Sequence, residues 1–418
     1  MAGKKTIKKS AINEIINDIV EKSTYSDKEY KRLIKKANRF IDYLNKSFRR
    51  KKISAEAVLG GSFAKGTLLR NDFDCDVFAR FKKESDMKHM FSILKRFKPE
   101  IIHGSRDYYN LKHQGISFEV VPVLWIKNAK QMRNTTDVSV FHVDWIKQQM
   151  KRNQKLRREI IAAKIFCKAN RVYGAESYLR GFSGHVLDII VAYYGSFIEL
   201  VKAASKWKDK TIIDFYDVHK GNAISNLNYS KTYSPLIVID PIQPERNAAA
   251  GMSSEKYFAF IDACKNFLKK PSAEFFRIKP LEIPRSRNII IATGVSLKGN
   301  KDVCGSKILK ALEYMQMKLR ENDFSIKEFK WEWDRKNKFI AYFLLEKMRL
   351  PKLRELPGPP ISQADNVSVF TKKYKKTYIK GNRLFAITKR KYCDAKKLAK
   401  AIITDDYIKN RVKSITIR

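Results

Sequence analysis

The segment from Leu59 to Phe81 constrains this chain more than any other. It reads Leu-Gly-Gly-Ser-Phe-Ala-Lys-Gly-Thr-Leu-Leu-Arg-Asn-Asp-Phe-Asp-Cys-Asp-Val-Phe-Ala-Arg-Phe. Gly60, Gly61 and Ser62 make a loop whose bare amides can approach an anion, and a helix expected from Phe63 points its positive end at the same place. Gly61 and Gly66 keep the GxxxxG spacing of a Walker A loop, yet Thr67 stands where the lysine belongs, so a P-loop NTPase is disfavoured. Asp74 and Asp76 then lead into a strand expected over Val77 to Phe81. Side chains two apart on a strand share a face, about 6–7 Å from one another. Two carboxylates so placed can share divalent ions that also bind a nucleoside triphosphate. Such ions, ~3.5–4 Å apart, would activate a hydroxyl nucleophile and stabilise a leaving pyrophosphate. Asp72 lies nearby, but Asp74 and Asp76 adjoin the strand. An isolated Asp-x-Asp is ordinarily a solvated turn; the Gly-Ser loop upstream, on a strand–helix–strand unit, sets this one apart.

A third carboxylate is needed to hold two ions. Glu119 interrupts Ile116-Ser-Phe-Glu-Val-Val-Pro-Val-Leu124, with Ile116, Phe118 and Val120 on one side of the strand and Glu119 on the other. An acid in such a run normally has a partner, because an unpaired buried charge is costly. The plainer reading is a solvated glutamate on an edge strand.

Charge points to the partner. Lys plus Arg is 86 against 43 for Asp plus Glu, a formal net charge of +43. That excess repels itself in the folded state, and a polyanion relieves it. Nucleic acid fits, since Lys and Arg displace counterions condensed on phosphates; a basic proteome or a salty cytoplasm would be the bland cause. With 44% hydrophobic and 12% aromatic residues the chain is expected to fold, and 418 residues call for two to three domains. The five cysteines stand far apart with no CxxC pair, which suggests neither a zinc site nor a disulfide framework and fits a reducing compartment. Met-Ala-Gly-Lys-Lys at the start lacks the apolar core of a secretory signal. Val186 to Val201, the most apolar stretch, is broken by Asp188 and Glu199 and is too short to span a bilayer. It is expected as a buried helix in a soluble, cytoplasmic protein that makes no membrane contact.

Residues 8 to 48 carry Ile12, Ile15, Ile16 and Ile19 at helical spacing. Strand and helix patterns then alternate, with a helix expected over Met87 to Phe97, which gives a mixed α/β domain ending near residue 148. Residues 153 to 207 predict two helices, the second capped by Ser183. A further helix runs from Ser253 to Lys269 and stops before Pro271. Beyond a Pro-containing boundary, Phe329, Trp331 and Trp333 alternate with charges as a half-wet strand does, and Phe339 to Leu345 is more continuously apolar. Leu356-Pro-Gly-Pro-Pro360 is expected to be a firm break, and Tyr378 to Thr388 a hairpin turning at Gly381-Asn382.

The order Gly-Ser, helix, Asp-x-Asp, then an acid before Val-Val-Pro resembles the DNA polymerase beta nucleotidyltransferase superfamily. More narrowly, the chain is similar to the archaeal (class I) CCA-adding enzymes from about residue 55 to its end. Phe141-His142, Ala169-Asn-Arg-Val-Tyr-Gly-Ala-Glu176, Arg180-Gly-Phe-Ser-Gly184, Tyr194-Gly-Ser-Phe197, Asp240-Pro241 with Arg246-Asn247, and Gly358-Pro-Pro360 follow in the family's order. The resemblance implies an α+β multidomain protein. A polymerase-beta-type head (1–148, a mixed sheet with helices) would be followed by a helical neck and body (149–272) and a small α+β tail (273–418) that grips tRNA. It implies stepwise addition of C, C and A to tRNA from CTP and ATP, with two Mg2+ ions held by Asp74, Asp76 and Glu119. Gly61, Ser62 and Lys65 would lie at the triphosphate with Lys164 and Tyr173, and Ser139 and His142 near the sugar and phosphates. Arg246 would read the base. Cytosine and adenine offer ring-nitrogen acceptors to a fork of donors, whereas uracil and guanine present a donor there. Taken singly, Lys164 is a solvated lysine, Tyr173 a core aromatic, His142 a structural histidine and Arg246 a surface ion pair. The run Thr371-Lys-Lys-Tyr-Lys-Lys376 places Lys372, Lys373, Lys375 and Lys376 around an aromatic, as backbone-tracking surfaces do, although lysine runs are also common on solvated faces.

The chain departs from the family pattern in four places. Glu119 stands for the usual Asp, Lys65 for Arg, Ser139-Val140 for Thr-Pro, and Gln243 for an acid near Arg246. A poly(A) polymerase, an oligoadenylate synthetase or an inactive RNA-binding scaffold are the alternatives. Oligomeric state, including a homodimer, is not written in the sequence.

Overall fold

The structure, a computed structural model, describes residues 2–104 and 106–418, with side chains from residue 12 onward. It divides into two compact units, Met1–Ile278 and Lys279–Arg418.

The first unit opens with α1 (Ala2–Ser23) and α2 (Asp27–Arg50), in place of one helical stretch over 8–48. Ser26 separates them. Its hydroxyl accepts from the Glu29 amide while the Glu29 carboxylate accepts from the Ser26 amide, a capping box that starts a new helix. Next come β1 (Ala55–Leu59), α3 (Gly61–Lys65), β2 (Cys75–Phe81), α4 (Met90–Leu94), β3 (Glu100–Ile102), β4 (Tyr108–His113) and β5 (Ile116–Leu124). The helix expected over Met87–Phe97 is reduced to α4 between two 3-10 turns. The strands form one mixed sheet in the order β1-β2-β5-β4-β3, in which only β2 and β5 run parallel. Alternation decides its two faces. Cys75, Val77, Ala79 and Phe81 of β2, with Phe118 and Val120 of β5, pack under Phe40, Leu44 and Phe48 of α2. Asp76, Phe78, Glu119 and Val121 therefore point to the opposite face.

That second face is met by α5 (Ser139–Arg152), whose Val143 packs with Phe78, Val121 and Val123. α6 (Leu156–Ala169) follows and buries Leu156, Ile160, Ala163 and Cys167 as its periodicity requires. Ser183 caps α7 (Gly184–Tyr194) by accepting from the Val186 amide. The apolar run expected as one buried helix is in fact two: Gly195, at φ 79°, ends α7 in the left-handed region, and Ser196 caps α8 (Phe197–Ala204). β6 (Thr211–Ile213), α9 (Ala223–Asn226), α10 (Tyr229–Thr232) and β7 (Leu236–Val238) form a small lobe with β6 and β7 parallel, and α11 (Ser254–Lys269) closes the unit.

In the second unit, β8 (Ile289–Ser296), α12 (Lys301–Glu321), β9 (Ile326–Trp333) and β10 (Lys338–Leu345) lead to β11 (Leu353–Pro360) and α13 (Ala364–Lys373). The hairpin β12 (Thr377–Lys380) and β13 (Arg383–Lys389) turns at Gly381-Asn382 as expected, and α14 (Ala395–Ile402), α15 (Asp406–Lys409) and β14 (Val412–Ile417) complete the chain. One sheet has the order β14-β8-β10-β9 and the other β11-β13-β12. The expectation of a break at Leu356–Pro360 is corrected by β11, which contains that stretch. β11 lies at a sheet edge and pairs with β13 alone, the position where a sheet tolerates residues that cannot donate, and the register slips between Pro357 and Pro360.

Candidate active site

Three clusters of side chains gather on the second face of the first sheet, on the helices beside it and on the loop that follows β7. The first is acidic. Parallel pairing sets Asp76 directly beside Glu119, and Asp74 sits just before β2. Burial pushes the Asp76 carboxyl up to about 6; Lys65 pulls against this and Asp74 adds to it. Burial, followed by the charges of Asp76 and Asp74, pushes Glu119 up to about 7. Two neighbouring acids so raised are poorly compensated by the protein itself, which is the condition of a cation site. On the far side of Glu119, across the antiparallel ladder, stands Asn110 of β4, a neutral neighbour with no signal of its own in the sequence.

The glycine-serine loop lies against this acid group. The Gly60 amide donates to the Asp76 carbonyl over 2.8 Å. Gly61 has φ 51°, and a Cβ there would stand 1.5 Å from Asp76 Oδ2. Glycine is required at Gly61 on both counts. α3 starts at Gly61 rather than Phe63 and lasts five residues, so the loop amides contribute more here than a helix dipole does.

The second cluster is basic. Lys65 Nζ donates to the buried Asp188 over 2.6 Å, so its ammonium is already paired across α7. Lys168 pairs with Asp72 at 2.5 Å and lies 4.8 Å from the centre of the Tyr173 ring, with Lys164 Nζ at 5.8 Å from the same ring. Burial lowers Lys164 to about 8, and Lys168 and Lys65 add to that effect. Burial holds the Tyr173 hydroxyl well above the usual phenol range, so it remains a donor.

The third cluster is organised by Asp240, which is wholly buried. Its carboxylate accepts from Arg246 Nη1 at 2.9 Å, and His142 and His185 place Nε2 3.1 and 3.3 Å from it. Burial pushes the Asp240 carboxyl up, but the two histidine hydrogen bonds more than reverse this and hold it well below the usual carboxylate range. Burial lowers the His142 imidazole while its bond to Asp240 acts the other way. The imidazole rings lie against one another, tilted by 32° with centroids 3.9 Å apart. His142, His185 and Asp240 form the one group of three such side chains, among the described residues, whose ligand atoms all lie within 4.8 Å. Arg246 donates to the same Oδ2 that His185 approaches, which puts a cation where a metal would have to sit. Asp74, Asp76 and Glu119 are not a group of that kind.

The clusters therefore bring together Asp74, Asp76, Glu119, Gly61 and Ser62; Lys65, Lys164 and Tyr173; and His142 and Arg246. Ser139 begins α5, one turn before His142. Lys372, Lys373, Lys375 and Lys376 lie in the second unit, all exposed, at and just past the end of α13.

Fold and site define a nucleotidyltransferase of the polymerase-beta type. The model of the nucleotidyltransferase domain matches residues 41–167, that of the tRNA nucleotidyltransferase second domain matches 158–277, and that of the CCA-adding enzyme C-terminal domain matches 298–412. The chain is 31% identical to the CCA-adding enzyme of Nanoarchaeum equitans, covering 90% of this chain and 95% of that one. It is 30% identical to the CCA-adding enzyme of Methanocaldococcus jannaschii, covering 94% and 91%. The chain belongs to the archaeal (class I) CCA-adding enzyme family. Its fold is similar to that of a cytoplasmic RNA terminal U-transferase (TM-score 0.51, 14% identity, 65% of this chain and 100% of that one). It is likewise similar to Cid1 in complex with a UTP analogue (TM-score 0.51, 13% identity, 65% and 99%). Divalent metal ions serve nucleotidyltransferases of this kind generally. No helix among the described residues is long and apolar enough to cross a membrane.

Proposed function

We propose that the protein adds C, C and A to the 3′ end of tRNA from CTP and ATP, without a nucleic-acid template and with release of pyrophosphate. The pairing of Asp76 beside Glu119, under the loop at Gly61, carries this reading. The oxygen-only donor set and the raised acid groups fit hard cations such as Mg2+. Asp74, Asp76 and Glu119 would hold two of them, which when bound activate the tRNA 3′ hydroxyl and neutralise the triphosphate. Gly61 and Ser62 offer amides and a hydroxyl to phosphate oxygens, and Lys164 and the Tyr173 hydroxyl donate to the same group. Lys65 reaches phosphate by sharing its three donors between that group and Asp188. Ser139 and His142 face the sugar and phosphates, and Arg246 accepts C and A while meeting a donor on U and G. All these residues come from one chain, so a homodimer is not needed to complete the site.

In this reading the head (1–148), neck and body (149–272) and tail (273–418) divide catalysis, nucleotide selection and tRNA grip among them, in the cytoplasm, where five free cysteines suit a reducing medium. Incubation with tRNA lacking its CCA end and single triphosphates tests the activity. CTP alone should add two residues and CTP with ATP three, whereas long A-tracts without C addition would identify a poly(A) polymerase instead.

The acid cluster makes metal binding proton-linked. Asp76 and Glu119 hold protons more tightly folded than unfolded, so the stability they contribute to the metal-free protein falls as pH rises from about 4 to about 7. Mg2+ or Mn2+ must displace those protons. Calorimetry at pH 6.5 in buffers of different ionisation enthalpy should show release of about one proton per protein, vanishing by pH 8.5. Release independent of pH would exclude these acids as ligands. For the tail, Lys→Ala at Lys372, Lys373, Lys375 and Lys376 should leave single-nucleotide binding unchanged. It should also lower the slope of log affinity for tRNA against log salt by roughly 0.7–0.9 for each phosphate no longer neutralised. An unchanged slope would assign the run to a solvated surface.

A further inference from the structure

We propose that Asp240 is a positioning residue that sets nucleotide choice by holding the Arg246 guanidinium in one orientation. This rests on Arg246 as the base reader. A free arginine with 39% of its side chain exposed samples many rotamers, and a guanidinium that swings can present a donor to any base. Here both ends of the residue are fixed. On the backbone, the Asp240 amide donates to the Arg246 carbonyl at 3.0 Å and the Arg246 amide to the Gln243 carbonyl at 2.8 Å. Asn247 locks the loop behind it, accepting from the Val238 and Ala249 amides and donating to the Lys231 carbonyl. At the other end Nη1 is held by Asp240, leaving the Nε and Nη2 edges for the base. Asp240 cannot follow Arg246 if it moves. Its carboxylate also accepts from the Ile242 and Gln243 amides, at 2.9 and 3.3 Å, and is flanked by His142 and His185. The cluster thus anchors the base reader to α5 through His142 and to α7 through His185.

Two substitutions, alone and combined, and one measurement on the unaltered protein test this. A hydrogen bond to a charged group is worth about 1.5–3 kcal/mol, so its loss corresponds to roughly a tenfold to hundredfold change. On tRNA lacking CCA, Asp240→Asn should raise UMP incorporation relative to CMP by roughly tenfold or more. In an Arg246→Ala background the same change should leave that ratio where Arg246→Ala has put it. Equal losses with all four triphosphates, as for a purely structural role, would overturn the proposal. If Arg246→Ala raises the ratio and Asp240→Asn does not, the positioning role fails while the base reader stands; if Arg246→Ala has no effect, both fall. Should Asp240→Asn not fold, arginine-selective nitrogen NMR of the full-length wild type decides, with Arg246→Lys giving the assignment. A resolved, slowly rotating Nη1 resonance before nucleotide is added supports the clamp, and an averaged one overturns it.

Discussion

Replacing Asp76 by Asn should cut nucleotide incorporation roughly a thousandfold, about 4 kcal/mol of barrier, while tRNA affinity stays within about twofold. The change is nearly isosteric, so the Gly60 amide keeps its bond to the Asp76 backbone carbonyl and the loop stays in place. The loss falls on charge. Asp76 is the central acid of the three, beside Glu119 on the neighbouring strand and two residues from Asp74, and both neighbours' charges bear on its proton affinity or it on theirs. Without it, the remaining two carboxylates have no shared ligand between them. Single-turnover incorporation on tRNA lacking CCA, run beside filter binding of the same tRNA, separates chemistry from binding. Activity within tenfold of wild type would remove the acid cluster from the mechanism, and a parallel fall in tRNA affinity would point to a folding defect.

Gly61→Ala should be nearly as damaging although it adds one methyl group and removes nothing. At φ 51° an alanine is strained in a backbone shape that glycine takes freely, and its Cβ would lie 1.5 Å from Asp76 Oδ2 and 2.5 Å from Asp76 Cγ. The carboxylate must turn away or the loop must lift. A displacement near 1 Å at reacting groups costs roughly a hundredfold in rate. The expected result is that loss in kcat, together with weaker Mn2+ binding and a thermal midpoint lowered by only a few degrees. Gly66→Ala is the control, since its Cβ would meet nothing closer than 3.4 Å although its φ is 67°. If both variants lose activity equally, backbone strain alone explains Gly61 and its closeness to the acid is incidental.

Much of the acid site is legible in the amino-acid sequence. β2 and β5 announce themselves because one face of each is continuously apolar, and that regularity makes Asp76 and Glu119 conspicuous. The remaining two clusters are harder to see. Asp188 reads only as an interruption in an apolar helix, and Asp240 as one residue of a resemblance, because their partners are remote: Lys65 lies 123 residues from Asp188, and His142 lies 98 from Asp240. A signal is present nonetheless. Asp240 ends Leu236-Ile-Val-Ile, and the rule that singles out Glu119, that an acid in an apolar run needs a partner, applies to both. The prolines of β11 mislead for another reason. Proline punctuates local structure, but whether a strand tolerates it depends on which side faces a neighbour, and that is decided by the whole sheet.

His185 and Asp188 stand three residues apart on α7, one tied to the base-reading group and the other to the lysines of the phosphate end. A single rigid rod thus carries both decisions an incoming triphosphate must satisfy: which letter it bears and how firmly its tail is gripped. A tilt that loosened one grip would disturb the other. Attempts to alter the letter by substitutions along this rod should therefore shift triphosphate affinity as well.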